Sequence, residues 1–264
     1  MKYQDYNVNN QKRITYGTQD VEEGCKSGVW NYSTFSKTDL ENFDITEKLI
    51  FLGTDYGGYP ILKNHLNENS VCYCAGAARD ISFEEGLTEL YNPEILIFEP
   101  TPEHFEFVEG KLEGKTLDKT KTKAFQIGLD GDDVEMEFYS GGKSDSWSSH
   151  KNVERLSKTS HEKIKVQMKK ISTLMKENNH SKIDVLKIDI EGSEYGVIDD
   201  IIENNLDIDM IAVEMHGEWI RDWDGSITKE IYKEYLNKLY DYGYDVVWQL
   251  SFREHLLIKR ELIK

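Results

Sequence analysis

The chain has 264 residues, of which 38% are hydrophobic and 11% aromatic, which is enough for a buried core and argues against disorder. Its length suits one domain of roughly 200 to 250 residues with some additional structure. The 32 Lys and Arg residues face 49 Asp and Glu residues, which gives a formal net charge of −17 with no visible basic stripe. Binding to nucleic acid or to an anionic membrane surface needs a basic face, so we expect neither as a partner.

The apolar runs and the cysteines indicate the compartment. The longest apolar runs, such as residues 49–52, are far shorter than the ~20 residues that span a bilayer, and the first residues lack the apolar stretch of a signal peptide. Three cysteines, Cys25, Cys72 and Cys74, form neither a disulfide framework nor a zinc-ligand pattern. We therefore expect a cytoplasmic protein without a membrane span.

A change in composition divides the chain. Residues 1–48 are polar and are predicted to be an N-terminal extension. A single domain is predicted over residues 49–264. Four aromatic side chains could anchor the extension: Tyr16, Trp30, Tyr32 and Phe35.

The domain begins with two short predicted strands at 49–62, around a glycine-containing turn. After it, apolar runs that are typical of buried strands alternate with helical periodicity. Strands are predicted at 71–75, 94–98, 123–129, 134–139, 164–168, 183–190 and 210–214, and a hairpin at 246–250 and 255–259. Helices are predicted at 81–91, 101–112, from a Ser172 cap to Asn178, after Ser193, and at 227–239, with a surface loop at 140–160.

Strands separated by crossover helices predict an α/β fold, with a mostly parallel sheet and helices on both faces. The closing hairpin is expected to place one antiparallel strand at the sheet edge. Such sheets bind ligands at the carboxyl ends of their strands. Candidate functional residues are therefore those that follow each strand.

Two segments after the first strands suit a nucleotide-like ligand. Small residues at Ala75, Gly76 and Ala77 let the backbone approach a ligand closely, although a plain tight turn would have the same composition. Glu99 follows the second strand, 23 residues beyond Gly76, which is close to the ~20 residues between the glycine loop and the ribose-binding carboxylate of nucleoside sites. The alternative for Glu99 is a surface carboxylate before a proline turn.

Carboxylates and a histidine follow the later strands. Asp189, Glu191 and Glu194 follow the clearest buried strand, where a solvated helix start is the alternative interpretation. Glu214 and His216 follow the next strand and could act as a general base, or could be structural.

Taken together, these residues resemble the FkbM type of S-adenosylmethionine (SAM)-dependent class I methyltransferase. The segment 186–194, Leu-Lys-Ile-Asp-Ile-Glu-Gly-Ser-Glu, is similar to that family's "KIDIEG" segment. Further similarities lie at 76–84, 55–59 and 98–102, and the resemblance covers about residues 49–260. The chain departs from the pattern at Ala78, where glycine is frequent, and at Glu99, where aspartate is commoner.

The resemblance implies a Rossmann-like sheet of seven strands with SAM as the cofactor. It implies that Gly76 and Ala77 lie beside the methionyl part of SAM, that Glu99 holds the ribose, and that Gly128 and Asp130 lie near the adenine. Asp189 would face the amino group or the reaction centre. The complete set of cofactor-binding candidates is Ala75, Gly76, Ala77, Asp80, Ser82, Glu99, Pro100, Gly128, Asp130 and Asp189.

The reaction implied is O-methylation of a sugar, glycan or natural-product hydroxyl, with His216, Glu214 and Asp189 as catalytic candidates. The same three residues could hold Mg²⁺, but a histidine is a poor partner for that ion and no metal is expected. Trp147, Trp219 and Trp223 could stack on sugar rings, or could be core or lid residues.

Two other functions remain open from the sequence. An NAD-dependent oxidoreductase or epimerase would share the ribose carboxylate but normally has a denser glycine loop. A non-catalytic interaction domain could use the same fold. Homo-oligomerisation is also left open.

Overall fold

The computed structural model describes residues 48–114, 116–140, 147–148, 163–217, 226–250 and 253–263. Several predicted features therefore lie outside the described residues. They are the extension up to residue 47 with its aromatic anchors and Cys25, most of the 140–160 loop, Trp219 and Trp223.

Thirteen strands and five α-helices are found in the described part of the chain. The strands are β1 (Leu49–Leu52), β2 (Tyr59–Leu62), β3 (Val71–Ala75), β4 (Glu94–Phe98), β5 (Thr122–Phe125), β6 (Gly128–Leu129), β7 (Val134–Ser140), β8 (Trp147–Ser148), β9 (Lys163–Lys169), β10 (Ile183–Ile188), β11 (Ile208–Glu214), β12 (Tyr244–Leu250) and β13 (Glu254–Lys259). The helices are α1 (Ser82–Leu90), α2 (Pro102–Glu113), α3 (Ile171–Glu177), α4 (Glu194–Glu203) and α5 (Lys229–Tyr242), and a 3₁₀ turn follows at Arg260–Leu262.

Seven strands form the central sheet in the order β12-β13-β11-β10-β3-β4-β5, which confirms the predicted α/β fold class. All neighbours are parallel except at β13, which runs antiparallel to both β11 and β12. The antiparallel strand is thus inserted one position inside the edge, not at the edge as expected. A hairpin alone cannot specify which of its two strands pairs with the sheet.

The predicted strand 123–129 is two strands in two sheets. The backbone turns sharply after β5, where the Ile127 N–H donates to the Phe125 carbonyl at 2.8 Å. The chain then enters a four-stranded sheet, β6-β9-β7-β8, which also contains the predicted strands 134–139 and 164–168. This small sheet stands beside the carboxyl end of β4 and builds one wall of the cleft described below.

The predicted Ser172 cap is wrong, although a helix is present. Lys170 occupies the cap position of α3, and Ser172 lies inside the first turn. The Ser172 N–H and hydroxyl donate to the Asp200 carboxylate at 2.9 and 2.7 Å, which ties α3 to α4. A serine near a helix start can cap its own helix or hydrogen-bond to another segment. Here Ser172 bonds to Asp200, which is distant in the sequence.

Two apolar layers cover the central sheet. Helices α3, α4 and α5 pack on one face, for example through Leu174, Ile198 and Leu236, whereas α1, α2 and the β1–β2 hairpin cover the other. Full burial of such a side chain contributes roughly 1.5–3 kcal/mol. With both faces covered, ligands can reach the sheet only at its strand ends. Among the described helices, none combines the length and apolar character that a membrane crossing requires.

Candidate functional site

A cleft of about 670 Å³, counted to its open mouth, lies at the carboxyl ends of β3, β4 and β10. Gly76, Glu99 and Asp189, each of which follows one of these strands, are in its lining. The other lining residues are Tyr56, Ala78, Phe98, Pro100, Thr101, His104, Gly128, Leu129, Phe138, Trp147, Met168, Ile190 and Glu191.

The floor of the cleft depends on a close backbone crossing at Gly76. A Cβ at this position would lie 1.7 Å from the Asp189 carbonyl oxygen, and φ is +79°. The Asp189 N–H donates to the Ala75 carbonyl at 3.1 Å, and so joins the segments that follow β10 and β3. Ala78 adopts φ +42°, a left-handed conformation that favours glycine. The loop therefore keeps a glycine-type backbone although alanine replaces the family's frequent glycine.

Glu99 is 3% exposed and is held by its own loop. Its Oε1 accepts hydrogen bonds from the Thr101 N–H (2.9 Å) and hydroxyl (2.7 Å), and its Oε2 accepts one from the Ala78 N–H (3.0 Å). A carboxylate offers about four acceptor positions. Three are used within the described residues, so one position on Oε2 suits a hydroxyl in the cleft.

A buried histidine–carboxylate pair lies behind Asp189. His216 Nδ1 is 2.9 Å from Glu194 Oε1, and Glu194 itself accepts hydrogen bonds from the N–H groups of Ile190 and Gly192, each at 3.1 Å. Glu194 thus favours a proton on Nδ1 and turns Nε2 towards Glu191, at 3.6 Å. Burial alone would lower the pKa of His216, but the carboxylates of Glu194 and Glu191 raise it well above its usual value.

Asp189 and Glu214 face the same histidine. Burial and the Glu214 carboxylate raise the pKa of Asp189 well above its usual value, although His216 opposes the shift. The candidate ligand atoms of Asp189, Glu214 and His216 lie within 4.8 Å of one another, a spacing that could hold a metal ion. Glu214 already has a counter-ion, because Arg253 Nε donates to it at 2.7 Å. This pairing weakens the case for a cation here.

Asp80 and Ser82 do not line the cleft; they hold the β1–β2 turn. The Thr54 hydroxyl donates to Asp80 at 2.5 Å, and the Thr54 N–H donates to Ser82 Oγ at 2.8 Å. These hydrogen bonds join two segments that the sequence showed as separate motifs, 55–59 and 76–84. The turn places Tyr56, which is 80% exposed, at the mouth of the cleft.

Ala75, Ala77 and Asp130 also lie outside the lining. Ala75 and Ala77 are buried, and Ala77 packs in the apolar layer beneath α1. Asp130 accepts a hydrogen bond from the Ser193 hydroxyl at 3.4 Å and abuts the start of α4. By contrast, Pro100 and Gly128 line the cleft, and a Cβ on Gly128 would come within 2.5 Å of Met168 Sδ.

Sequence reasoning missed several lining residues. Phe138 and Met168 come from β7 and β9, whose contribution to the cleft has no signal in the local sequence. His104 is buried in α2, with Nδ1 3.9 Å from Glu99 Oε1. Tyr56 could have been found, because it belongs to a segment already singled out by its glycines. Of the three tryptophans considered, Trp147 lines the cleft.

Comparison with known proteins identifies the family. The methyltransferase FkbM domain family matches residues 75–246, well over half of the chain. The chain belongs to this family. The resemblance predicted from the sequence is thereby confirmed. No curated protein sequence matches the chain.

Several solved structures are similar to the chain at low sequence identity. The FkbM methyltransferase from Methylobacillus flagellatus KT is 14% identical, with a TM-score of 0.42 over 73% of this chain and 44% of that one. The Methanococcus jannaschii fibrillarin pre-rRNA processing protein is 14% identical, with a TM-score of 0.41 over 74% and 69%. M. capricolum TrmK, solved with S-adenosylhomocysteine (SAH), is 8% identical, with a TM-score of 0.37 over 74% and 63%. The present chain thus spans less than half of the Methylobacillus protein.

Proposed function

We propose that this FkbM-family methyltransferase uses SAM to methylate a hydroxyl of a sugar, glycan or natural product. The observation that carries the proposal is a cleft suited to a nucleoside, whose lining includes Asp189 and Glu191, together with the Glu194–His216 pair buried behind those two residues. Glu194, Glu214 and His216 themselves do not line the cleft. Methyl transfer to a hydroxyl needs both a bound methyl donor and a base for the departing proton.

The lining fits SAM on two counts. Glu99 keeps one acceptor position on Oε2, which suits a ribose hydroxyl. Gly76 lines the cleft where its lack of a side chain lets it pass close to the Asp189 backbone, and the neighbouring Asp189 carboxylate suits the ammonium group of the methionyl part. Pro100, Gly128 and Leu129 would flank the adenine. In this arrangement Ala75, Ala77, Asp80, Ser82 and Asp130 shape the surrounding loops instead of touching the cofactor.

His216 is the proposed general base, and Glu194 orients it. When bound, SAM would supply an electrophilic methyl group on its sulfonium, with SAH as the leaving group. The acceptor proton passes to His216 Nε2, while Glu194 stabilises the resulting imidazolium through Nδ1. Only neutral His216 can accept that proton. Because its pKa is raised, turnover should increase with pH through that pKa.

The rim of the cleft favours a neutral hydroxylated acceptor. Tyr56 and Trp147 offer aromatic faces at the mouth, which suit the apolar face of a sugar ring. Asp189 and Glu191 in the same lining, together with the net charge of −17, would repel an acidic acceptor.

Calorimetric titration with SAM, SAH and NAD⁺ tests the cofactor. We expect the first two to bind and NAD⁺ not to bind; binding of NAD⁺ alone would overturn the proposal. Glu99→Ala should weaken SAH binding more than it slows the bound enzyme. Unchanged SAH affinity in this variant would refute the ribose role.

Methyl transfer to a panel of sugars and sugar nucleotides tests the base. His216→Ala should lower turnover by ~10²- to 10⁴-fold, the usual contribution of a general base, and Asp189→Asn should also lower it strongly. His65→Ala is the matched control, because His65 pairs with Asp209 at the opposite end of the sheet. Near-native activity of both site variants would show that the site is misassigned.

A further inference from the structure

The backbone at Glu191 has an unusual conformation for a glutamate. In the described part of the chain, five non-glycine residues have a left-handed backbone: Ala78, Asn92, Asn179, Glu191 and Asn205. The three asparagines each lie two residues beyond the end of a helix, where this residue type adopts the conformation readily. The other two residues line the cleft. Glu191, with φ +53°, therefore carries backbone strain that an asparagine or glycine would relieve.

Glu194 holds this strained segment in place. Its Oε1 accepts a hydrogen bond from the Ile190 N–H, and its Oε2 accepts one from the Gly192 N–H, each at 3.1 Å, so both neighbours of Glu191 are fixed. The same Oε1 lies 2.9 Å from His216 Nδ1. One carboxylate thus fixes the backbone at Glu191 relative to the His216 ring. Strain that the surrounding structure maintains in this way is typical of functional sites.

Glu191 lies between His216 and the cleft. His216 is 3% exposed and does not line the cleft, whereas Glu191 does. Glu191 Oε2 is 3.6 Å from His216 Nε2, and its side chain is 22% exposed. Contacts between catalytic groups are often this long without substrate and shorten when it binds. An acceptor in the cleft can therefore reach the buried histidine through the Glu191 carboxylate.

We propose that Glu191 takes the proton from the acceptor hydroxyl and passes it to His216, so that the two residues form a proton relay. This inference rests on the proposed function. As the acceptor oxygen gains the methyl group, its O–H bond breaks and the proton moves to Glu191 Oε2, while the electron pair of the broken carbon–sulfur bond stays on SAH. The proton then moves to His216 Nε2. Glu191 is again a carboxylate, and Glu194 balances the charge of the imidazolium.

Glu191→Gln tests the relay, because it keeps the size of the side chain and removes its basic oxygen. Turnover on the acceptor panel should fall by ~10²- to 10⁴-fold, the usual contribution of a general base. SAH affinity, measured by calorimetry, should be unchanged. Glu94→Gln is the matched control, because Glu94 Oε2 lies 3.4 Å from His180 Nε2 at the opposite end of the sheet. This control should change neither turnover nor SAH affinity.

Glu191→Asn tests the functional origin of the strain. Asparagine adopts the left-handed conformation readily, so the unfolding temperature should rise while turnover falls as in Glu191→Gln. An unfolding temperature below that of wild type would show that the glutamate stabilises the loop, and the functional origin of the strain would be refuted.

The double variant Glu191→Gln/His216→Ala tests whether the two residues act in series. Its turnover should be no lower than that of the less active single variant, because removal of either residue already interrupts the relay. A loss of turnover equal to the product of the two single losses would show that the residues act independently, and the relay would be refuted.

Failure of the relay and failure of the proposed function give different results. Wild-type protein that binds no SAH would refute the proposed function and this inference with it. The relay alone is refuted if wild type is active and His216→Ala is impaired, but Glu191→Gln turns over like wild type. It is also refuted if Glu191→Gln loses SAH affinity in parallel with turnover, since Glu191 would then be a cofactor contact.

Discussion

Replacement of Gly76 by alanine tests whether the backbone crossing beneath the cleft is built as described. The added Cβ would lie 1.7 Å from the Asp189 carbonyl oxygen, whereas real Cβ contacts essentially never fall below 3.0 Å. The Asp189 carbonyl must therefore withdraw by at least about 1.3 Å. This movement strains the hydrogen bond between the Asp189 N–H and the Ala75 carbonyl.

The magnitude follows from two contributions. A non-glycine residue in the left-handed region costs about 1–2 kcal/mol, and loss of a backbone hydrogen bond costs about 0.5–1.5 kcal/mol. We expect Gly76→Ala to lower the free energy of unfolding by about 2–3 kcal/mol. Because Asp189 moves with its carbonyl, SAH affinity should fall, and turnover should fall by ~10²-fold, as expected for a displacement near 1 Å.

Urea unfolding and SAH calorimetry measure both effects. Gly110→Ala is the matched control, because this glycine lies inside α2 and an added Cβ would meet nothing within 4 Å. That change should stabilise the protein by about 0.5–1 kcal/mol through helix propensity. The description of the crossing would be refuted if Gly76→Ala had a free energy of unfolding within about 0.5 kcal/mol of wild type and an unchanged affinity for SAH.

Three further predictions concern charge. Glu194→Gln removes the largest contribution that raises the pKa of His216. The acidic limb of the turnover profile should therefore move to lower pH, and the plateau of turnover should fall ~10²-fold or more. An NMR titration in which the His216 pKa does not move would contradict this prediction. His255 is buried with its pKa lowered to about 3, so the folded protein favours its neutral form. The free energy of unfolding should therefore decline by up to about 5 kcal/mol as pH falls from about 6.5, the unfolded-state pKa, towards 3. Urea unfolding against pH measures this decline, which His255→Gln should remove. Because Arg253 already neutralises Glu214, EDTA should leave methyl transfer intact, and activity restored only by added Mg²⁺ would disprove that expectation.

Much of the fold followed from local pattern. The run 183–188 is apolar at most positions, which is typical of a strand buried on both faces, and it became β10 at the centre of the sheet. The run 123–129 was predicted as one strand but divides after Phe125, because its two halves pair with different sheets. Apolar periodicity indicates which residues are buried, but it does not indicate which strand pairs with which in a sheet.

Site residues were likewise predictable where a local pattern marks them and unpredictable where only the tertiary structure brings them to the cleft. Glu99 and Asp189 were found because parallel strands bring their carboxyl ends to one edge, and both line the cleft. Asp80 satisfied the same family pattern but faces Thr54, so its place in the pattern reflects loop architecture. His104 and Met168 line the cleft with no motif of their own.

The sequence by itself determined the fold class, the family and the carboxylates that follow the strands, because these depend on short-range periodicity and on contiguous motifs. Only the tertiary structure decided how the motifs work together. It placed Glu194 against His216 across 22 residues and Lys187 against Glu84 across more than a hundred. Charge interactions depend on distance and burial, which chain folding sets and residue order does not reveal.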